Sequence, residues 1–442
     1  MAQDNNEALR AMRLAARLAQ YPELRARVEE ILSVVENEQG ETFTADAAEE
    51  RAFEQVRKLG QEVLQSWAER KHARLVQEYD TRRDTQRKGK KKLYWLSRFG
   101  SVSLEEQIYQ RRGHHHRVRP FAASAQVHCR SLSLGLQRAV VDFGADSSFA
   151  AAVEKVREHY GVEVSQSAVR VVTQAHGEAM QVESEVAVSL PREGVRELLA
   201  EIDGTLVPMV EIGEAQGDKR RQRGCKWQEA RLCLAGQPQS VQRRYAATLG
   251  SVESAGRVWK ACVAAAGAGH NTHLHCVGDG ARWIVAQVKE QFGAQATFLV
   301  DFYHLSEYLG EAARAIKGHG AKSWLWQQQE RMKSNQSAEV LAELALHREG
   351  ESVAEVSAPV RRCERYMRAR LDYLDYAGAR ERGLPIGSGE IESGNRSVLQ
   401  ARLKISGAWW RAENAEKMMA LRVTRANGEW QSYWRGLRQA HA

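Results

Sequence analysis

Apolar runs that end at acidic residues constrain the fold of this chain more than any other feature. The run "THLHCVGDGA" is typical of a buried strand ending at Asp279, and "ATFLVDFYHL" of a strand that stops at Asp301 and continues into a helix. The amphipathic pattern "ARWIVAQVKEQFG" between them predicts a helix. Upstream, "VRELLAEIDGTLVPMVEIG" contains two strand-like runs around Asp203-Gly204, a dipeptide typical of tight turns, and "KWQEARLCLAG" adds a third strand.

The resulting order is three antiparallel-type strands, a helix, a strand, a helix, a strand, a long helical stretch and a final helix. This order predicts an α/β fold with a ribonuclease-H-like mixed sheet core and a helical insertion. A mostly helical N-terminal region with a helix-turn-helix precedes it. The predicted domains are a helical and basic region for DNA binding or oligomerisation at 1–130, the helix-turn-helix at 131–190, the first part of the core at 191–317, the helical insertion at 318–385, and the core completion with a C-terminal helix at 386–442.

Length and composition exclude several classes of protein. The chain has 442 residues, enough for two or three domains. Its first residues show no secretory signal, and no apolar stretch approaches the roughly 18 residues of a membrane span. The six cysteines form no CxxC pair, which is typical of reduced thiols in a cytosolic protein. We therefore expect no membrane partner.

The positive charge of the chain is clustered, and the net charge of +8 favours a polyanionic partner. One basic run includes Lys88, Lys90, Lys91 and Lys92 and precedes Tyr94 and Trp95. A second includes Arg220 and Arg221 and lies beside Trp227. Cations neutralise phosphates and adjacent rings stack on bases, although either run is also compatible with a solvated charged loop.

A pair of short helices is predicted in "SSFAAAVEKVREHYGVEVSQSAVRVVTQAHG", with Gly161 at the turn and Ser165 as the N-cap of the second helix. This is the outline of a helix-turn-helix, in which the second helix, carrying Arg170, would enter the major groove of DNA. Ordinary helical hairpins share the same outline.

Asp203, Asp279 and Asp301 are candidates for a metal site, since each follows a predicted strand and sites form at strand ends of α/β sheets. Mg²⁺ prefers oxygen ligands, and two such ions can activate the attacking oxygen and stabilise the leaving oxygen of a phosphoryl transfer. The competing interpretation is that each Asp-Gly dipeptide is simply a turn.

Two glutamates in "LPIGSGEIESGNRSVLQARLKISGAWW" compete for a further role in the site. In a helix that begins near Ser388, Glu390 and Glu392 point in nearly opposite directions. Glu392 shares its face with Asn395, Arg396 and two leucines that would dock on the sheet, whereas Glu390 is expected to be a solvated acid. The alternative for Glu392 is an ion pair with Arg396 four residues later.

The segments "EIDGT", "VGDGA", "VDFYHL" and "PIGSGEIESGNRSVLQARLKISGAWW" resemble motifs of bacterial insertion-sequence transposases of the Mutator-like DDE type, with the greatest similarity to the ISKra group. The resemblance covers about residues 135 to 440. It implies metal-dependent DNA cleavage and strand transfer by a ribonuclease-H-like core with a helical insertion. It also implies a bacterial, cytoplasmic and nucleoid-associated protein.

Matched motif by motif, the resemblance places the three catalytic, metal-binding acids on Asp203, Asp279 and Glu392. It places a supporting D-x-x-H pair on Asp301 and His304, and an E-x-x-N asparagine on Asn395. His304 is also compatible with simple packing or capping, and Asp301 with either binding metal or orienting His304. The implied cofactors are two Mg²⁺ ions, for which Mn²⁺ can substitute.

The chain departs from the resemblance in one region. Relatives often carry a cysteine-bearing segment upstream, where this chain has "YQRRGHHHRV". His114, His115, His116, His128 and Cys129 do not match a zinc signature, so a zinc-binding module is not predicted.

The predicted function is therefore a DNA transposase that binds element ends and target duplex DNA, as a homodimer or larger assembly. Basic residues expected to contact DNA are Lys88, Lys90, Lys91, Lys92, Arg170, Arg220, Arg221 and Arg396. Two alternatives share these features: a structure-selective nuclease on the same core, and a non-catalytic DNA-binding protein.

Overall fold

A computed structural model describes residues 2–36, 44–181, 188–212 and 223–440. The chain divides into two units, Met1–Thr173 with Ser432–Ala442, and Gln174–Gln431. No helix in the described ranges combines the length and the apolar character needed to cross a membrane. The five-part division made from the sequence stays a prediction.

The first unit begins with three helices, a β-hairpin and a further group of helices. Its elements are α1 (Ala2–Leu18), α2 (Pro22–Val35), α3 (Ala45–Thr81), β1 (Thr85–Ser97), β2 (Gly100–Arg111), β3 (Arg117–Val118), α4 (Pro120–Ala125), α5 (Leu134–Asp146), α6 (Phe149–Tyr160) and α7 (Gln166–Ala179), which continues into the second unit. The predicted helical N-terminal region is confirmed. Side chains of α3, both long strands and Phe121 form one buried cluster.

Helices α6 and α7 lie where the sequence places them. Gly161 ends α6 in the left-handed region at φ 58°, and the Ser165 hydroxyl accepts a hydrogen bond from Ala168 N at 3.1 Å. Val140 of α5, Val156 of α6 and Val169 of α7 share one buried cluster. The local turn geometry therefore follows the sequence, while DNA binding by this helix pair stays a prediction.

The second unit is built on a mixed five-stranded sheet with the order β6-β5-β4-β7-β8. Strands β4 to β6 are antiparallel, and β7 and β8 are parallel to β4. The elements are β4 (Glu197–Ile212), β5 (Arg223–Gly236), β6 (Arg244–Thr248), α8 (Val252–Ala265), β7 (His273–Gly278), α9 (Arg282–Phe292), β8 (Ala296–Val300) and α10 (Phe302–Lys317). The predicted mixed α/β class is confirmed.

The predicted turn at Asp203-Gly204 is wrong. These residues lie in the middle of β4, paired with Leu232 and Arg231 of β5 in an unbroken ladder. The fourteen paired positions between β4 and β5 outweigh the local turn preference of one dipeptide. The third antiparallel strand is instead β6, which the sequence did not indicate.

Helices complete the second unit after α10. They are α11 (Ala321–Lys333), α12 (Ser337–Leu346), α13 (Pro359–Arg368), α14 (Tyr376–Glu381), α15 (Gly389–Gly394), a π-helical turn (Asn395–Gln400), α16 (Ala401–Leu403), α17 (Ala412–Ala426) and α18 (Trp430–Ala440), whose last nine residues belong to the first unit. Helices α11 to α14 lie within 318–385, where the sequence predicts a helical insertion, and their assignment as an insertion stays a prediction.

Alternate residues of β4 face two different layers of helices. Leu198 and Ile202 pack in a cluster with α8 and α9, whereas Leu199 packs in a cluster with α10 to α14. Because side chains alternate along a strand, Glu201 and Asp203 lie on the same face as Leu199. The sheet therefore presents two acids to the side that the helices after α10 cover.

Candidate functional site

Three hydrogen bonds join β4 to the helical segment 389–403, which comprises α15, the π-helical turn and α16. The bonds run from Ile391 N to Glu201 Oε2 (2.8 Å), from Asn395 Nδ2 to Asp203 Oδ2 (2.8 Å), and from Gln400 Nε2 to Thr205 Oγ1 (2.9 Å). The acceptors are spaced by two residues, the period of one strand face. The donors are spaced by four and then five residues, so the π turn brings Gln400 onto the same helix side as Asn395.

The carboxyl of Asp203 is partly buried beside other acids, and its pKa is raised. Burial raises the pKa of its carboxyl to about 6, and the negative charges of Asp279 and Glu392 add to the effect. Hydrogen bonds from Gly204 N and from the Asn395 amide oppose the rise in pKa. Acids from two other stretches of the chain therefore act on the Asp203 carboxyl through space.

Glu201 belongs to the same site, although the sequence did not single it out. It is fully buried, and burial raises the pKa of its carboxyl to about 8. Its Oε1 has no hydrogen-bond partner among the described residues. The sequence feature that could have indicated Glu201 is its position two residues before Asp203 in a strand. Because side chains alternate along a strand, both carboxyls lie on one face.

Asp279 follows β7 in a real turn, as its Asp-Gly dipeptide suggests. Its Oδ1 accepts a hydrogen bond from Ala281 N at 2.8 Å, and Gly280 has φ +76°. The turn interpretation is thus right for Asp279, and Oδ2 is the oxygen with no protein donor among the described residues. This acid combines a structural role in the turn with a charge that acts on the Asp203 carboxyl.

Glu390 and Glu392 have different surroundings. The side chain of Glu390 is 43 % exposed, so this acid is partly solvated as expected, and it also makes two hydrogen bonds to Arg243, which the sequence did not indicate. Glu392 is 56 % exposed and lies 3.7 Å from the guanidinium of Arg396, the ion pair considered as its alternative role. An exposed ion pair at this distance contributes little free energy, so Arg396 restrains the Glu392 carboxylate only weakly.

The Asp301 carboxylate accepts four hydrogen bonds, and these give it a structural role. Its Oδ1 accepts from Tyr303 N (2.6 Å) and His304 N (3.0 Å) at the start of α10. Its Oδ2 accepts from Ser388 N (2.7 Å) and from the Ser388 hydroxyl. Asp301 contacts the backbone of His304 and not its imidazole, so it positions two chain segments and does not orient that ring.

His304 is packed against aromatic rings. Its imidazole makes edge contacts with Tyr308 and Tyr366, at centroid distances of 5.5 and 5.8 Å. The carboxylate of Glu307 lies 3.7 Å from its Nδ1. These contacts agree with the packing role considered for His304.

The basic residues expected to contact DNA are exposed wherever the structure describes them. Those residues are Lys88, Lys90, Lys91 and Lys92 on β1, Arg170 on α7, and Arg396 in the π-helical turn. Arg220 and Arg221 lie outside the described residues. Trp227 and Trp409 form an exposed aromatic pair, 58 % and 46 % exposed, with ring centroids 6.2 Å apart.

The donor atoms around Asp203 suit a hard cation. Carboxylate and amide oxygens are the ligands that Mg²⁺ takes, and the buried Asn395 Oδ1 has no hydrogen-bond partner in the described chain. Within residues 2–36, 44–181, 188–212 and 223–440, no three His, Cys, Asp or Glu side chains converge closely enough to hold a metal ion. This holds for Asp203, Asp279 and Glu392, and equally for the histidines and cysteine at 114–129. Metal binding by the three acids stays a prediction, and none is predicted for the residues at 114–129.

A family model, described as an uncharacterised protein family (UPF0236), matches residues 39–437. The chain belongs to this family. The match contains every candidate site residue, from Lys88 to Arg396, and extends over both units. No curated protein matches this UPF0236 member.

Proposed function

We propose that this protein is a metal-dependent DNA transposase of the DDE type, in which Asp203, Asp279 and Glu392 form the active site. Mg²⁺ ions, when bound by these acids, would activate the attacking oxygen and stabilise the leaving oxygen of a strand-cleavage or strand-transfer step. The proposal includes a ribonuclease-H-like core, DNA end binding and a dimer or larger assembly.

The observation that carries the proposal is the electrostatic coupling of Asp203 to Asp279 and Glu392. Burial is the main cause of the raised pKa of Asp203, and the negative charges of Asp279 and Glu392 raise it further, because like charges inside a protein repel. Sites that bind divalent cations concentrate acids in this way, because the bound ion removes the repulsion. The hydrogen bond between Asn395 and Asp203 agrees with the E-x-x-N spacing of the transposase resemblance.

The sheet supports the same assignment. Its order β6-β5-β4-β7-β8, with three antiparallel strands followed by two parallel ones, agrees with a ribonuclease-H-like core. Helices cover both faces of the sheet. In chain order, α11 to α14 lie between β8 and the segment that carries Glu392. This is the place that the resemblance gives to the helical insertion.

Within this site, the described residues position the reacting groups. Asp301 fixes Ser388, four residues before Glu392, against the start of α10. The Asn395 amide orients the Asp203 carboxylate by donating to Oδ2. Gly387 allows the close passage of this segment over Tyr303, since a Cβ there would lie 2.5 Å from the ring. These contacts fix the position of the backbone segment that carries Glu392.

The test is a strand-cleavage and strand-transfer assay with Mg²⁺, on DNA that flanks the protein's own gene. Asp203→Asn, Asp279→Asn and Glu392→Gln are each expected to lower the rate at least about 100-fold. The matched control is Glu390→Gln, which changes the neighbouring acid bound to Arg243 and keeps activity. Full activity in any of the first three variants would refute the proposed site.

The same assay separates the two alternatives. A structure-selective nuclease would cleave DNA without preferring the element ends, and would still depend on the three acids. A non-catalytic DNA-binding protein would bind the ends and show no cleavage in the wild type. Deletion of residues 1–190 further separates the transposase from the nuclease, because the nuclease has no preference for end sequences to lose.

A further inference from the structure

A cavity of about 470 Å³ lies in the second unit beside Asp279. Its lining begins at Gly280, the residue after Asp279, and includes Arg282 and Val285 of the first turn of α9. The rest of the lining comes from α10, from α13 and from the residues after α13. Ligand pockets occupy roughly 300–1,000 Å³, so this cavity is large enough for a small organic ligand.

The lining of the cavity is strongly basic. It includes Arg282, Arg362, Arg365 and Arg370, and no acidic residue lines the cavity. Arg362 and Arg365 form ion pairs with Glu311 and Glu355, which do not line it. Four guanidinium groups around one space favour an anion, and planar guanidinium groups bind phosphate oxygens in pairs.

One wall of the cavity is formed by stacked planar groups. The rings of Tyr308 and Tyr366 are 4.2 Å apart and inclined by 16°. The guanidinium carbon of Arg370 lies 3.9 Å from the centroid of Tyr366. Tyr373 also lines the cavity. Tyr366 is covered by Tyr308 and by Arg370, so a base would stack on Tyr308 or on Tyr373. Aromatic rings of this kind are the surfaces on which proteins stack unpaired bases.

The wall is attached directly to the turn that carries Asp279. The Tyr366 hydroxyl donates to the backbone oxygen of Asp279 at 2.6 Å, and Arg370 Nε donates to the oxygen of Gly280 at 3.0 Å. A Cβ at Gly280 would lie 2.5 Å from Arg370 Nε, so this approach depends on glycine. A ligand in the cavity is therefore held at a fixed position relative to the Asp279 carboxylate.

We propose that this cavity binds one unpaired nucleotide of the DNA strand that approaches the acids. Its phosphate would contact the exposed Arg282 and Arg365, and its base would contact the tyrosine wall. The inference rests on the proposed function for DNA as the partner. A single nucleotide fits a space of this size, whereas a base pair within a duplex does not.

The test measures binding of the full chain to labelled duplexes in EDTA, which separates binding from cleavage. One duplex has a short overhang with a 5′-phosphate and a 2-aminopurine base, and its partner is blunt. The wild type is expected to bind the overhang duplex about tenfold more tightly, since hydrogen bonds to a charged phosphate add to the affinity. Base fluorescence should fall on binding because of stacking on tyrosine.

Two arginines of α13 provide a matched pair of variants. Arg365 lines the cavity and is 67 % exposed, whereas Arg368 does not line it and is 57 % exposed. Each forms one ion pair, with Glu355 and Glu364 respectively. Arg365→Ala should abolish the preference for the overhang, and Arg368→Ala should retain it. Tyr308→Leu should lose the fluorescence change, and Tyr308→Phe should keep it.

Other results overturn the inference in distinguishable ways. Equal binding of the two duplexes by the wild type, or equal effects of Arg365→Ala and Arg368→Ala, would refute the nucleotide site alone. Asp203→Asn should preserve the overhang preference, because that acid lies outside the cavity lining. Absence of binding to any of the duplexes would refute both this inference and the proposed function.

Discussion

Two aspartates, one within β4 and one at the end of β8, differ in how their carboxylates are bound. Asp301, at the end of β8, has both carboxylate oxygens occupied by donors from α10 and Ser388. Asp203, within β4, receives one side-chain donor and is exposed to the charges of two other acids. An acid with all its acceptors filled holds a fold together, while one with unfilled acceptors and nearby negative charge is available for a ligand.

The strongest way to break this comparison is Asp301→Ala. The variant loses the cap of α10 and leaves the buried Ser388 without its acceptor, so we expect a loss of about 2–4 kcal/mol in unfolding free energy. Urea denaturation at neutral pH measures the loss. The control is Ser251→Ala, which removes only the cap of α8 and should cost about 1 kcal/mol. Equal losses would mean that Asp301 is no more than a helix cap.

Glu201→Gln tests whether the buried acid beside Asp203 is uncharged in the folded protein. The pKa of Glu201 is raised from 4.5 to about 8, so its stabilising contribution is complete below pH 4.5 and is lost as pH rises through about 8. Glutamine cannot ionise and still accepts from Ile391 N. We expect equal unfolding free energies near pH 4.5 and an advantage for the variant, on the order of 1–4 kcal/mol, at pH 8. Parallel pH profiles would contradict this.

Asp203→Asn tests whether the ionised carboxylate of Asp203 lowers the stability of the fold, in contrast to that of Asp301. The pKa of Asp203 is raised from 3.8 to about 6, so ionisation lowers the stability of the fold as pH increases across that window. The variant is expected to be more stable than the wild type by about 1–3 kcal/mol at pH 7, and equal to it below pH 3.8. Thermal and urea unfolding without divalent ions measure the difference. A less stable variant at pH 7 would place Asp203 with Asp301 as a structural acid.

Arg396→Ala is expected to have the smallest effect on stability. It removes an exposed ion pair with Glu392, worth a few tenths of a kcal/mol. On DNA, loss of one phosphate contact should reduce the salt dependence of binding by about one unit of slope. Titrations at several salt concentrations check this. An unchanged salt dependence of binding would mean that Arg396 pairs with Glu392 and does not contact DNA.

Much of the fold can be predicted from local pattern. The order of β7, α9, β8 and α10 follows from apolar periodicity and from the acids at the strand ends. The pattern divides strand β4 incorrectly because Asp203-Gly204 has the local chemistry of a turn, and only its partner strand makes it continuous. Strand β6, five residues long in the sequence "RYAAT", carries too little pattern to be recognised.

The candidate site is predictable only in part, for a similar reason. Helix geometry alone separates Glu392 from Glu390, but it gives no sign of the contact between Glu390 and Arg243. The role of Asp301 depends on Ser388, which is 87 residues away, and no local pattern contains that contact. The cavity likewise combines Tyr308 with arginines of α13 and α9. Long-range contacts of this kind arise when distant segments pack together. The local spacing of residues in one sequence does not predict them.

The π-helical turn at Asn395–Gln400 makes the site unequally tolerant of changes in chain length. Asn395 and Gln400 are five residues apart, and both bond to the same face of β4. Removal of one residue between them would give the four-residue step of an ordinary α-helix, in which both side chains still lie on one side. Addition of one residue would rotate Gln400 away from Thr205. Natural length variation at this point should therefore consist of deletions, and Glu392 would remain in place through them.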